Sequence, residues 1–138
     1  MIVQGLCTSA KEEFFRGVHN PEDLYMLALY GEDVALNLDT TTYTPEDECV
    51  GFGYTAGGLP IKGYSTGVLP NGIAYLTWSD PVIWYGCTVQ TAGGLIYNRS
   101  KDNRAIMVLD FEDLYPAKNG VVSISMPPKG AGALILWG

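Results

Sequence analysis

Val121-Val122-Ser123-Ile124-Ser125-Met126 alternates apolar and polar side chains, so Val122, Ile124 and Met126 point one way and Ser123 and Ser125 the other. That is the period of a strand with one wet face. Leu24-Tyr25-Met26-Leu27-Ala28-Leu29-Tyr30 and Ala133-Leu134-Ile135-Leu136-Trp137 are apolar on both sides, which places each between layers or in an oligomer contact. Left as an open edge, the second would invite aggregation.

Working outward from these runs, further strands are predicted over 59–64, 73–78, 88–97 and 104–111, with another entering at Cys49 and Val50. Residues 112–119, acidic with one proline, read as a surface loop between two strands. Asn71-Gly72 and Asn119-Gly120 tolerate the positive φ of type I′ hairpin turns. Short runs punctuated in this way predict a mainly β protein, an antiparallel β-sandwich or jelly roll of about seven or eight strands, rather than βαβ units. No repeat, low-complexity tract or linker divides the sequence, so a single domain over 1–138 is expected, with an N-terminal segment and helix within about 1–20.

The helix signal lies near the start. Ser9 precedes Ala10-Lys11-Glu12-Glu13-Phe14-Phe15, Glu12 stands at capping-box spacing from it, and Gly17 offers a stop. Phe14, Phe15 and Val18 give the helix an apolar stripe that lies against the core or against a neighbouring subunit.

Composition supports a folded chain: 47% of the 138 residues are hydrophobic and 17% charged. A chain of this length buries roughly two thirds of the surface it exposes when unfolded, so its core needs neither disulfides nor metal. No apolar run approaches the roughly 20 residues of a membrane-spanning helix, and the N-terminus lacks the charged and apolar regions of a signal peptide. Synthesis in a reducing cytoplasm is expected. Net charge is −7, with ten acids and three bases in residues 1–69 against five of each in residues 70–138. Phosphate-directed nucleic-acid binding needs the opposite balance. The early acids form an acidic face or simply keep loops solvated.

Little in the sequence is catalytic. Cys7, Cys49 and Cys87 are odd in number and lie 42 and 38 residues apart, the spacing of buried hydrophobes rather than of a zinc site. His19, the one histidine, has no serine or cysteine near it in sequence and reads as a polar residue closing the helix end. The acid pairs Glu22-Asp23 and Glu32-Asp33, the triplet Glu46-Asp47-Glu48 and the Asp110–Asp113 stretch lack both the separation of glycosidase carboxyls and the spacing of a calcium loop. Gly51-Phe52-Gly53-Tyr54-Thr55-Ala56-Gly57-Gly58 matches no phosphate-binding pattern and lacks the P-loop lysine, so its glycines serve a bulge or bend. Asn98-Arg99-Ser100 satisfies a glycosylation sequon, which has no meaning without secretion. Tyr75, Trp78, Trp84 and Tyr85 gather around a predicted hairpin at Asp80-Pro81, as core, protein contact or sugar-stacking platform. No catalytic residue, cofactor site or metal site is predicted, and the chain is not expected to be an enzyme.

A motif order then carries a resemblance across nearly the whole chain. It runs through Cys7-Thr8-Ser9-Ala10-Lys11-Glu12, Gly17-Val18-His19-Asn20, Ala28-Leu29-Tyr30, Thr41-Thr42-Tyr43-Thr44 and Gly53-Tyr54-Thr55-Ala56-Gly57-Gly58. It continues in Asp80 with Trp84, Gly94-Leu95-Ile96-Tyr97-Asn98, Asn103-Arg104-Ala105-Ile106 and Leu109-Asp110-Phe111. In this the sequence resembles a family of small virion proteins of tailed bacteriophages. The resemblance implies a jelly-roll-like capsid decoration or cement protein on the outer capsid surface, bridging major capsid proteins, commonly as a homo-dimer or homo-trimer. The more acidic early loops and the ending Leu136-Trp137-Gly138 depart from that pattern. The interface candidates are Phe14, Phe15, Trp84, Tyr85, Leu136 and Trp137, with the major capsid protein and other copies of the chain as partners and neither nucleic acid nor membrane among them. The alternative is a tail- or fibre-associated structural or glycan-binding module with Trp84 and Tyr85 as its stacking platform.

Overall fold

The computed structural model describes residues 1–127 and 134–137, with Leu136 and Trp137 described by backbone alone. Within them the protein is mainly β and antiparallel, with one short α-helix. A short β1, Gly5–Leu6, leads into helix α1, Thr8–Phe15. Strands β2 (Tyr25–Tyr30), β3 (Leu59–Ile61), β4 (Tyr64–Val68) and β5 (Ala74–Trp78) follow, then two long strands, β6 (Val82–Asn98) and β7 (Arg104–Ile124), and last β8 (Ile135–Trp137). One sheet has the order β1-β7-β6-β2-β3 and the other β4-β5-β8.

The chain changes sheet between β3 and β4, between β5 and β6, and between β7 and β8. The two sheets meet at an aromatic cluster in which the Tyr25 ring of β2 lies 5.7 Å from that of Tyr64 in β4 and 5.4 Å from that of Trp78 in β5. β2 is the centre of the core. All six of its residues are buried, as expected for a run apolar on both sides, and it pairs with β6 on one edge and β3 on the other.

Several expected boundaries move. Residues 88–97 are part of a 17-residue strand, and 104–111 and 121–124 are the two ends of one 21-residue strand. The loop expected over 112–119 is therefore strand. Its polar residues are accommodated by a bulge: Gly93 pairs with Asp110 and Thr91 with Tyr115, so β7 takes several extra residues, among them Glu112 at φ 67°. Beyond β1 this half of β7 is an edge, where Pro116 and Lys118 are at home. Asn119 has φ 49° inside β7 and gives its N–H to Thr88 Oγ1, so Asn119-Gly120 is a strand irregularity, not a hairpin turn. The β4–β5 hairpin does turn at Asn71-Gly72, but through a three-residue loop in which Gly72 alone has positive φ, and the Leu69 N–H bonds Ile73 O. The stretch 59–64 breaks at Lys62-Gly63 because its halves belong to different sheets, and Asp80-Pro81 is likewise a sheet-to-sheet connection rather than a hairpin. Cys49 and Val50 form no regular strand. Their segment is tied by the bridge of Glu48 to Tyr30 and by the Cys49 N–H to Leu29 O.

The helix is capped two residues before its predicted cap. Cys7 is the N-cap and makes no side-chain cap bond, while Ser9 Oγ is buried without a hydrogen-bond partner among the described residues. The stop is as expected: Gly17 takes φ 71°, its N–H bonds Phe14 O, and the Val18 N–H bonds Glu13 O, a Schellman closure. The buried side of α1 is Ala10 and Glu13 rather than the Phe14-Phe15-Val18 stripe. Phe14 packs half-buried against the core, whereas Phe15 is 78% exposed.

Candidate functional site

The 28 residues that separate β2 from β3 have no regular secondary structure and are held down by single bonds. Val3 N–H reaches Leu36 O, Thr8 N–H reaches Leu38 O, and the Tyr43 N–H reaches Asn103 O in the turn from β6 to β7. Their second half is organised by one buried carboxylate. Glu48 Oε1 accepts the Tyr43 hydroxyl at 2.6 Å, and Oε2 accepts the Tyr54 hydroxyl and the Gly57 N–H, the latter at 2.8 Å. No cation among the described residues pairs with it; three donors take the place of one. Burial first, and then the bond to Glu48, push both tyrosine hydroxyls far above their ordinary pKa.

The glycine-rich stretch fits this arrangement by close approach. A Cβ on Gly58, whose φ is +80°, would lie 1.8 Å from Leu27 O, and one on Gly51 would lie 1.8 Å from Thr88 O. The segment thus runs flat along the outer edge of β6, where Thr88 N–H bonds Phe52 O. Side chains that cannot turn inward there turn outward. Val50 is 94% exposed, Phe52 79% and, across on β6, Tyr85 71%. Val121 on β7 is also exposed, beside the irregularity that separates the Trp84–Val122 and Cys87–Gly120 pairs. The Thr88–Phe52 bond and the close approach of Gly53 to Gly86 bring Phe52 and Tyr85 to one rim at the far end of the β6–β7 ribbon, with Val50 two residues before Phe52 and Val121 on the paired strand. Large apolar groups exposed in this way are a feature of contact surfaces.

The predicted interface residues fare differently. Tyr85 lies on this rim. Trp84, 3% exposed, is turned inward with its ring edge-on to Tyr54 at 6.0 Å, so on the folded chain it is core and neither a contact nor a stacking surface. Alternation along β6 decides this, since Trp84 and Tyr85 are neighbours on opposite faces. Phe14 and Phe15 belong to the helix, remote in sequence from the rim. The side chains of Leu136 and Trp137 lie outside the described residues; the backbone pairs Trp137 with Ala74 and Leu136 with Tyr75. Val50 and Phe52 were not legible as exposed, because apolar residues beside glycines carry no period that assigns a face, whereas Val121 falls in phase with Ser123 and Ser125 on the wet face of its strand.

A second polar centre lies under α1. His19 is buried and holds Glu13 Oε1 through Nε2 at 3.0 Å, while its Nδ1 faces Asn98 Nδ2 at 2.9 Å. An amide nitrogen only donates, so Nδ1 accepts and the imidazole proton sits on Nε2. Arg104 Nη1 donates to Glu13 Oε2 at 2.7 Å, and Asn98 Nδ2 also donates to Asp23 Oδ2 at 2.8 Å. Lys101 Nζ donates to both Asp23 oxygens at 2.9 Å. Burial draws the His19 pKa below its ordinary value, against the opposite pull of Glu13 and Asp23. Burial alone would raise Asp23, but bonds from Asn98, Lys101 and the Asn20 N–H outweigh it and hold that carboxyl low. Asn98 spends its amide on this network, so the sequon at 98–100 is a structural element.

The cysteines are free thiols within the core, with Cys7 and Cys49 both pushed up to about 11, chiefly by burial. Among the described residues no group of three or more His, Cys, Asp and Glu side chains is arranged to hold a metal ion, and no helix is long and apolar enough to cross a membrane. No family model, curated protein or solved structure matches the chain.

Proposed function

We propose that this chain is a structural virion protein of a tailed bacteriophage that decorates and cements the outside of the capsid, docking on neighbouring major capsid proteins through the Val50-Phe52-Tyr85 rim. The observation that carries the reading is the outward display of these three large apolar side chains on a backbone held by the Glu48 cage and by the Thr88–Phe52 bond. Such a rim is built before the partner arrives, so little ordering entropy opposes binding. The motif order resembling small phage virion proteins points the same way. Because genome packing loads a shell from within, a clamp that binds the expanded shell preferentially stabilises it by mass action.

Co-sedimentation with expanded and unexpanded shells of the encoding phage tests the proposal. Saturable binding at a fixed ratio to the capsid protein, stronger on expanded shells and lost in Phe52→Ala/Tyr85→Ala, supports it. Absence of binding to either shell overturns it in favour of a tail- or fibre-associated role. With Trp84 in the core, a glycan platform would have to rest on Tyr85 and Phe52 instead.

A further inference from the structure

The underside of α1 is unusual for a packed helix, because its buried face consists of one methyl group, that of Ala10, and one carboxylate, that of Glu13. Apolar contact by Phe14 adds to this at the edge, where the ring lies 4.9 Å from the His19 ring and forms one wall of a groove of about 350 Å³. The other walls are apolar residues of the three-stranded sheet, among them Tyr64, Val68, Leu76 and Ile135. The helix is thus held down largely by polar bonds, and it closes one side of an apolar groove.

We propose that His19 is the proton-sensitive pin of a latch that holds α1 against the sheet, and that acidification releases the helix while the β-sheets remain folded. The groups around the imidazole are Glu13 from α1, Asp23 from the lead-in to β2, Asn98 from β6 and Arg104 from β7, with Lys101 of the 3-10 turn Arg99–Lys101 bonded to the far side of Asp23. The two carboxylates are already matched by Arg104 and Lys101, so a third positive charge has no partner reserved for it. Geometry opposes it as well. A second imidazole proton goes on Nδ1, which then points a donor at the donor Asn98 Nδ2, 2.9 Å away.

The amide cannot turn over to accept that proton. Its Oδ1 holds the Ser100 N–H at 3.1 Å, and its Nδ2 holds Asp23 at 2.8 Å. Ser100 Oγ in turn accepts the Leu24 N–H at 2.8 Å, which fixes the start of β2. A proton on His19 therefore breaks the Asn98 bond or expels the ring from its place against Phe14. Either event removes the link from Glu13 through His19 to Asn98, leaving the Arg104 bond, the Thr8–Leu38 backbone bond at the first turn and the small Ala10 contact to hold the helix. Lifting Phe14 opens the groove over Tyr64 and Leu76.

Amide hydrogen exchange on the intact chain at pH 7.5 and pH 5.0, corrected for the intrinsic pH effect, tests this. As the one histidine of the sequence, His19 can also be titrated by NMR without assignment ambiguity. The latch predicts at least a tenfold loss of protection at the Lys11–Phe15 amides, with Leu95 and Ile96 unchanged and a midpoint that follows the imidazole. In His19→Gln, which cannot titrate, α1 protection is expected to be the same at both pH values. Helix protection that persists while the imidazole titrates overturns the proposal. So does simultaneous loss of protection in helix and central strands, or pH-dependent opening that survives in His19→Gln. Should His19→Gln fail to fold, the wild-type comparison of helix against central strands decides alone.

Discussion

Glu48 accepts the N–H of Gly57 at 2.8 Å, so a carboxylate buried at one end of the glycine-rich stretch fixes the other end. Gly57 O in turn accepts the Tyr97 hydroxyl at 2.6 Å, which continues the chain of bonds into β6. The exposed rim thus stands on a framework of buried polar bonds, and its shape depends on groups beneath the surface.

Replacing Glu48 by Gln keeps the size of the side chain but turns an amide donor toward a tyrosine hydroxyl or the Gly57 N–H. Bonds to charged groups contribute about 1.5 to 3 kcal/mol each, so a loss of about 2 to 3 kcal/mol is expected. Urea denaturation is expected to show a lower midpoint at unchanged m-value. Stability equal to wild type would show that the cage is not needed.

Adjacent Trp84 and Tyr85 should behave as opposites. Trp84→Ala empties a core site against Tyr54 and is expected to cost about 3 to 5 kcal/mol. Tyr85→Ala alters an exposed position and is expected to change stability by no more than about 0.5 kcal/mol. Only the second is a clean probe of docking, read by co-sedimentation with shells alongside thermal unfolding.

Gly58→Ala is expected to destabilise by roughly 2 kcal/mol or more, because left-handed backbone strain adds to a contact with Leu27 O that cannot be made. Gly72→Ala has the same sign of φ but open space around it, so it reports the strain alone. The difference between the two, measured by denaturation, isolates the close approach.

Stability is expected to fall with acid in two stages. His19 has a folded-state pKa below its unfolded value of about 6.5, so the unfolded chain binds more protons and folding weakens as pH falls through that value toward the folded one. Asp23, also lowered, contributes stability that is present above its unfolded pKa and lost as pH falls toward its folded one, beginning near pH 4. Denaturation from pH 7.5 to pH 3 should show both stages, and His19→Gln should remove the first. A single stage below pH 4.5 in the wild type would contradict the assignment to His19.

Thiol titration should find no fast-reacting cysteine in the native chain and three after denaturation, because burial both hides the thiols and disfavours their thiolates. Rapid native labelling of Cys49 would mean that its segment opens away from β6.

The β character, the buried run at 25–30 within the apolar stretch 24–30, a short helix ahead of Gly17 with its glycine stop, and the wet face of Val121–Met126 were all legible in the sequence. Each rests on a local rule: a period of two, a period of 3.6, or a residue suited to left-handed backbone. The same rules misplaced the loop at 112–119 and the hairpins at Asn119-Gly120 and Asp80-Pro81. Whether an acidic, proline-containing stretch is loop or bulged strand depends on the partner strand beside it, and β6 supplies that partner from 20 or more residues away. The two polar centres were beyond local reading for the same reason. His19 joins α1 to Asn98 across 79 residues of sequence, and Glu13 reaches Arg104 across 91, so their roles were decided only when the sheet brought them together. Residue order determined where most of the strands and the helix begin; the packing of those segments decided which charges are buried, which aromatic of the Trp84-Tyr85 pair faces water, and which large apolar side chains stand in the open.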